Sequence, residues 1–331
     1  MEQIAVLGAG SWGTALSLLL ARKGCAVSLW VWDRSQAETM RRSGESPFLP
    51  GFGLPGEIKI TTSIPEAAGD ADAVVLATIS SAVADVAEDL RKCLPPTIPI
   101  ISGTKGLDSK TGLTVSQTLT SILPGDTPIV ALSGPNLAVE VANEIPSATV
   151  AACTDQSSAR RAQSLFMCPS LRVYTNSDII GVELAGALKN VIAIAAGICD
   201  GLGYGDNTKA ALLTRGLAEI TRLGTKIGAQ PTTFMGLAGV GDLMATCAST
   251  LSRNRRVGMG LGQGESLDDV LRKIGQVAEG IPTTQAAVIL AGKYEVSMPI
   301  TKQVYEVLFE GKSPQTAVAD LMTREPKDEA V

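Results

Sequence analysis

The chain has 331 residues, 45% hydrophobic and 18% charged, the proportions of a water-soluble globular protein long enough for two domains. With 28 Lys and Arg against 33 Asp and Glu, its formal net charge is -5, so neither a general nucleic-acid surface nor a face for anionic membranes is expected. It contains no histidine, which removes Ser-His and Cys-His nucleophile systems and most zinc sites; no metal is expected, and a proton carrier near neutral pH must be Lys, Asp or Glu.

The chain opens on a strand pattern, "IAVLGAG", with no basic leader or cleavable apolar segment ahead of it. Gly8, Gly10 and Gly13 in "VLGAGSWG" have the G-x-G-x-x-G spacing between this strand and the helix "TALSLLLARKG", which ends at Gly24. In that setting the first glycine permits a tight turn, the second lets the backbone approach a pyrophosphate, and the third lets helix and strand pack closely. The free N–H groups of the helix then face the phosphates. The second strand, "AVSLWVWD", ends at Asp33, twenty residues after Gly13. An acid there binds the adenosine ribose 2′-hydroxyl and favours NAD, whereas Arg34 beside it suits the 2′-phosphate of NADP. The sequence leaves that choice open, and Trp32 either stacks on adenine or packs.

"DADAVVLATI", "IPIISGT", "PIVALSG" and "SATVAA" follow as strands ending in polar or glycine-rich residues. Their alternation with helical segments predicts a mostly parallel, doubly wound α/β sheet. Lys105 in "ISGTKGL" and Gly134, Pro135 and Asn136 in "LSGPN" lie just past the carboxyl ends of two strands, where such sheets bind ligands. Two such loops at one edge favour a site over simple turns.

After "LRVYTNSD" the chain becomes rich in Ala, Leu and Gly with helical periodicity. This predicts a Rossmann-type dinucleotide-binding domain over 1–176 and an all-helical substrate-binding and catalytic domain over 177–331, whose charged tail "TREPKDEAV" frays. Within the helical part, "ELAGALKNVIAIAAGI" is apolar almost everywhere yet carries Lys189 and Asn190 at its centre. A buried ammonium needs a partner or a lowered pKa, and a central position is poor for snorkelling to the surface. The run reads as too short and too interrupted to span a membrane. Further on, "GLAGVGDLMATC" presents Asp242 after a glycine run, with Thr246 one turn later. "SRNRRVG" gathers Arg253, Arg255 and Arg256 around Asn254, either a solvated helix face or an arginine fork for a small phosphate. The cysteines Cys25, Cys93, Cys153, Cys168, Cys199 and Cys247 form no Cys-x-x-Cys pair, so free thiols in a reducing cytoplasm are expected.

These blocks together resemble the NAD(P)-dependent glycerol-3-phosphate dehydrogenases of the soluble bacterial and organellar kind. "GAGSWGTAL", "TKGL", "SGP", "DIIGVELAGALKNVIAIAAG", "TRGLAE", "GVGDL", "SRNRR" and "GQVAEG" occur in the family's order over nearly the whole chain. The resemblance implies NAD or NADP as cofactor, contacted by Ser11, Trp12, Ala138, Val277 and Glu279. It implies that Lys105 and Arg253 touch both cofactor and substrate, and that Gly134, Asn136, Asp242, Ser252 and Asn254 hold glycerol 3-phosphate. Lys189 would be the proton acceptor, with Asn190 and Asp242 orienting the ammonium and the substrate oxygens. Arg253 would neutralise the phosphate, and Asn254 would add a hydrogen bond. The expected reaction interconverts sn-glycerol 3-phosphate and dihydroxyacetone phosphate and supplies phospholipid synthesis in the cytoplasm. No nucleic-acid partner is implied, and the assembly expected, if any, is a homodimer.

Two departures from the family pattern stand out. Ile79-Ser80-Ser81 stands where Pro-Ser-His or Pro-Ser-Gln is usual, which bears on cofactor affinity or preference, and Asn136 stands where Ser or Thr follows "SGP". Asn still donates and accepts hydrogen bonds. A β-hydroxy acid dehydrogenase would share the layout, but it would need an arginine for a carboxylate and lacks the pairing of "GVGDL" with "SRNRR". A non-catalytic NAD(P) sensor would have no use for Lys189 and Asp242 together.

Overall fold

The computed structural model describes residues 1–326, 328 and 329. Lys327, Ala330 and Val331 lie outside the described residues, and with them part of the tail expected to fray.

The strands are β1 (Gln3–Leu7), β2 (Ala26–Trp30), β3 (Glu45–Ser46), β4 (Leu49–Gly53), β5 (Ile58–Thr61), β6 (Ala73–Leu76), β7 (Ile100–Ser102), β8 (Ile129–Ser133), β9 (Ser147–Ala152) and β10 (Leu171–Asn176). Eight of them form one sheet in the order β10-β9-β8-β7-β6-β1-β2-β5, and β3 and β4 make a separate hairpin. Neighbours in the large sheet are parallel except β8 and β9. The central strands read as unbroken apolar runs because helices cover both faces: all four residues of β6 are buried, as are the last four of β1. Strand order runs from β1 towards β5 on one side and from β6 towards β8 on the other. The reversal opens a crevice at the carboxyl ends of β1 and β6, where ligands of such sheets bind.

Helices α1 (Ser11–Arg22), α2 (Arg34–Ser43), α3 (Ile64–Ala68), α4 (Val83–Arg91), α5 (Val115–Ile122), α6 (Ala138–Ala142) and α7 (Gln156–Phe166) cover the sheet. Buried residues of α1, α2, α6 and α7 join one apolar layer, and those of α3, α4 and α5 join the other. The edge strand β5 and the hairpin were not legible in the sequence. "IKIT" is four residues long with Lys59 exposed, too brief for an alternation signal.

After β10 the chain is helical: α8 (Ile179–Gly201), α9 (Asp206–Ile227), α10 (Pro231–Phe234), α11 (Asp242–Ala248), α12 (Arg253–Gly262), α13 (Leu267–Ile274), α14 (Gly280–Lys293), α15 (Pro299–Phe309) and α16 (Pro314–Met322). Asp178 caps α8 by accepting from the Gly181 amide at 2.9 Å. The helix is 23 residues long, so the expectation that this run is too short to cross a bilayer is corrected. What argues against a span is burial: 89% of its most apolar window is covered by the rest of the protein. Its closest neighbour is α12, which lies alongside because glycines meet backbone. A Cβ on Gly258 would fall 1.9 Å from the Ile194 carbonyl oxygen, and one on Gly197 would fall 2.0 Å from that of Arg255. This close approach brings the first turn of α12 beside Asn190.

Candidate active site

The three glycines of the first turn have separate physical reasons. Gly8 has φ +115, and a Cβ there would lie 2.5 Å from the Ala77 carbonyl oxygen; a Cβ on Gly13 would lie 1.8 Å from that of Gly8. Both are therefore required by the fold itself. Gly10, the residue preceding α1, has no atom within 4 Å of where a Cβ would stand. That open space, facing the unpaired amides of the first turn of α1, fits a pyrophosphate drawn close to the backbone. Ser11 is half-buried, and its hydroxyl donates to the Phe48 carbonyl at 2.6 Å, so its side chain is already committed.

Trp32 is 81% exposed, so of its two readings packing is not met within the chain. Asp33 caps α2, one oxygen accepting from the Gln36 amide at 2.6 Å, which leaves the second oxygen for a ribose hydroxyl. Arg34 is exposed beside it. Several buried polar atoms at the same edge of the sheet have no partner among the described residues: Trp12 Nε1, Thr78 Oγ1 and both amide atoms of Asn136. Buried donors and acceptors rarely stay unpaired, and a dinucleotide or polyol in the crevice would satisfy them. Ala138, half-buried, opens α6 two residues after Asn136.

Lys105, Lys189 and Asp242 meet where the carboxyl ends of β7 and β8 face α8. Lys189 Nζ donates to Asp242 Oδ1 and, at 2.7 Å, to Thr246 Oγ1. Lys105 Nζ donates to Asp242 Oδ2 at 2.7 Å and to the Gly134 carbonyl at 2.8 Å. One carboxylate thus holds two ammonium groups. Asp242 and Lys189 are 2% and 5% exposed, so burial lowers the Lys189 pKa to about 8; Asp242 resists the shift and the Lys105 charge adds to it. Gly134 serves through its carbonyl, which orients Lys105. Thr246, noticed in the sequence only for its spacing, is a direct partner of the Lys189 ammonium, because residues four apart share a helix face.

One expectation is corrected. Asn190 does not reach the Lys189 ammonium: its Oδ1 accepts from Asn254 Nδ2 at 2.8 Å, and its Nδ2 donates to the Gly186 carbonyl at 3.4 Å. Asn254 is in turn committed at its Oδ1, which accepts from the Gly280 amide at 2.9 Å. Its side chain braces α8 and α14, and its second Nδ2 hydrogen and its backbone amide in the first turn of α12 remain for an anion.

The basic run also separates. Ser252 caps α12 by accepting from the Arg255 amide at 3.3 Å. Arg255 binds Asp200 through Nε and Nη2, each at 2.7 Å, and Arg256 is exposed. Arg253 is half-buried and has no side-chain partner among the described residues, which leaves it able to face a ligand; burial lowers its pKa, and Glu279 opposes that. Val277 is 44% exposed, while the Glu279 carboxylate is held by Ser80, an anchor the sequence did not reveal. A separate cavity of about 390 Å³ beside the turn Leu237–Gly241 is lined by Thr175, Asn176, Gln230 and Thr233 among others. It has no charged lining residue and so does not suit a phosphorylated ligand.

Comparison with known proteins agrees with this geometry. The profile of the NAD-dependent glycerol-3-phosphate dehydrogenase N-terminus matches residues 3–159, and that of the corresponding C-terminus matches residues 178–319. The chain is 51% identical over 331 residues to glycerol-3-phosphate dehydrogenase (NAD(P)+) of Geobacter sulfurreducens, covering 99% of each chain. It is 47% identical to the enzyme of that name from a Thermoanaerobacter species, covering 99% of this chain and 98% of that one. The crystal structure of glycerol-3-phosphate dehydrogenase from Coxiella burnetii superposes with a TM-score of 0.94 at 39% identity, over 97% of this chain and 98% of the other. With a glycine cradle at one end of the crevice, a lysine–aspartate pair at its centre and matches that run through both halves, the chain belongs to the NAD-dependent glycerol-3-phosphate dehydrogenase family.

Proposed function

We propose that the chain interconverts sn-glycerol 3-phosphate and dihydroxyacetone phosphate with NAD or NADP, and that Lys189 is the group that moves the proton. The observation that carries this reading is the buried Lys189 ammonium, lowered to about 8 and held between Asp242 and Thr246. Bound in the crevice, the dinucleotide supplies the hydride acceptor or donor. Lys189 in its neutral form takes the hydroxyl proton of the secondary alcohol and, as an ammonium, returns it to the carbonyl oxygen in reduction. Asp242 fixes the lysine, and Lys105 adds positive charge beside the same oxygen. Arg253 and the first-turn amides of α12 take the phosphate.

Gly8, Gly10, Trp12, Gly13 and Asp33 would line the dinucleotide's path, with Asn136 meeting a ligand through its unpaired amide. The reading divides the chain at residues 176 and 177, supported by β10 ending at Asn176 and α8 opening at Ile179. It extends to a cytoplasmic enzyme, alone or as a homodimer, that feeds phospholipid synthesis.

The test is NADH and NADPH oxidation by the purified protein with dihydroxyacetone phosphate, set against β-keto acids and unphosphorylated ketones. Dihydroxyacetone phosphate is expected to be turned over with the highest kcat/KM. Faster turnover of a β-keto acid would replace this reading with that of a hydroxy acid dehydrogenase.

A further inference from the structure

We propose that Ser80 is a positioning residue for this reaction: it sequesters the Glu279 carboxylate, and so leaves Arg253 free for the substrate phosphate. The inference rests on the activity and the role of Arg253 given above.

Ser80 opens the short turn Ser80–Ala82 after β6 and is buried. Its amide donates to Glu279 Oε1 at 2.9 Å, and its hydroxyl donates to Oε2 at 2.6 Å. A single residue 199 positions away in the chain therefore holds both oxygens of this carboxylate. Two donors on one carboxylate fix its orientation as well as its position. Glu279 precedes Gly280, whose amide binds the side chain of Asn254, the residue after Arg253; Glu279 and Arg253 also influence each other's ionisation, yet among the described residues the two form no ion pair. In a buried setting the natural partner of the guanidinium would be this carboxylate, and direct pairing would withdraw the arginine from any phosphate. Ser80 opposes that by holding both oxygens in one orientation.

The clamp also touches the lysine side of the site. A Cβ on Gly106, the residue after Lys105, would fall 2.6 Å from Ser80 Cβ and 2.9 Å from Glu279 Oε2. The Lys105 loop thus rests directly on the Ser80–Glu279 pair. From Glu279 the chain passes to Gly280, whose amide binds Asn254, which binds Asn190 beside Lys189. Hydrogen bonds joined by the Glu279–Gly280 backbone therefore run from the loop after β6 to the helix that carries Lys189.

The experiment is a double-mutant cycle of Ser80→Ala and Glu279→Gln, with NADH saturating and dihydroxyacetone phosphate varied. Ser80→Ala removes the hydroxyl donor to Oε2 and leaves the amide donor to Oε1, so one oxygen of an anionic Glu279 becomes available to Arg253; KM for dihydroxyacetone phosphate should rise about fivefold or more, with kcat changing by about twofold at most. The kcat/KM for unphosphorylated dihydroxyacetone should fall far less. In the Glu279→Gln background no anion remains to capture Arg253, and Ser80→Ala should then leave KM where Glu279→Gln alone puts it. An unchanged KM in Ser80→Ala, or an equal rise in both backgrounds, overturns the proposal and leaves Ser80 a purely structural residue. If the unsubstituted protein fails to turn over dihydroxyacetone phosphate, the activity reading falls and this inference falls with it; activity with an unaffected KM in Ser80→Ala removes the inference alone.

Discussion

Lys189→Met loses turnover by about 10²–10⁴-fold while its affinity for NADH stays close to that of the unsubstituted protein, because one general acid–base group is removed and the dinucleotide cradle is untouched. Methionine keeps an unbranched apolar stem in a helix buried on nearly every side, so the packing of α8 survives. Asp242 keeps its bond to Lys105 and is not left as an unpaired buried charge. The absence of histidine from the chain leaves no imidazole to take over the proton. The measurements are kcat with dihydroxyacetone phosphate and NADH affinity by fluorescence titration. Near-normal turnover would remove Lys189 from the mechanism.

Arg253→Ala is expected to raise KM for dihydroxyacetone phosphate about tenfold or more, since a charge-assisted contact contributes roughly 1.5–3 kcal/mol. The protein is acidic overall, so its field does not attract a phosphate, and a local cation must do so. Arg255 cannot substitute because its guanidinium is held by Asp200. Arg256 is exposed, and Arg256→Ala should change little. Unphosphorylated dihydroxyacetone is the control: its residual kcat/KM should fall far less in Arg253→Ala. NADH must be saturating in both assays. Equal losses for the two substrates would mean that Arg253 serves the fold or the cofactor.

What the sequence disclosed followed from local regularities. The glycine turn, the alternation of strands and helices, and the apolar run around Lys189 each carry a short-range period or spacing, and each stands in the fold where it was expected. What it concealed depended on direction or on distance along the chain. Asn190 follows Lys189 directly, yet adjacent helical residues do not face each other, so it turns to Asn254 while Thr246 meets the ammonium. The same rotation splits "SRNRR": consecutive arginines fall on different faces, and only a helix wheel placed against α8 and Asp200 tells which one is free. The strand β5 is too short to show alternation. The Ser80–Glu279 contact joins residues 199 apart with no periodic signal at either end. The open space at Gly10 was anticipated from the motif, but its contrast with Gly8 and Gly13, both required by backbone contact, needed coordinates.

In the proposed mechanism a single lysine, lowered to about 8, gives up and recovers the reacting proton. The direct measurement is kcat/KM against pH in both directions, at saturating dinucleotide and above pH 7, where a substrate phosphate with a second pKa of about 6 is already largely ionised. Oxidation of glycerol 3-phosphate needs the neutral amine, so its kcat/KM should rise with pH and level off above about 8. Reduction of dihydroxyacetone phosphate needs the ammonium, so its kcat/KM should be level below that point and fall above it. Mirror-image limbs meeting near pH 8 are the predicted result. Profiles that are flat across this range, or that bend in the same direction for both reactions, would contradict the assignment of Lys189.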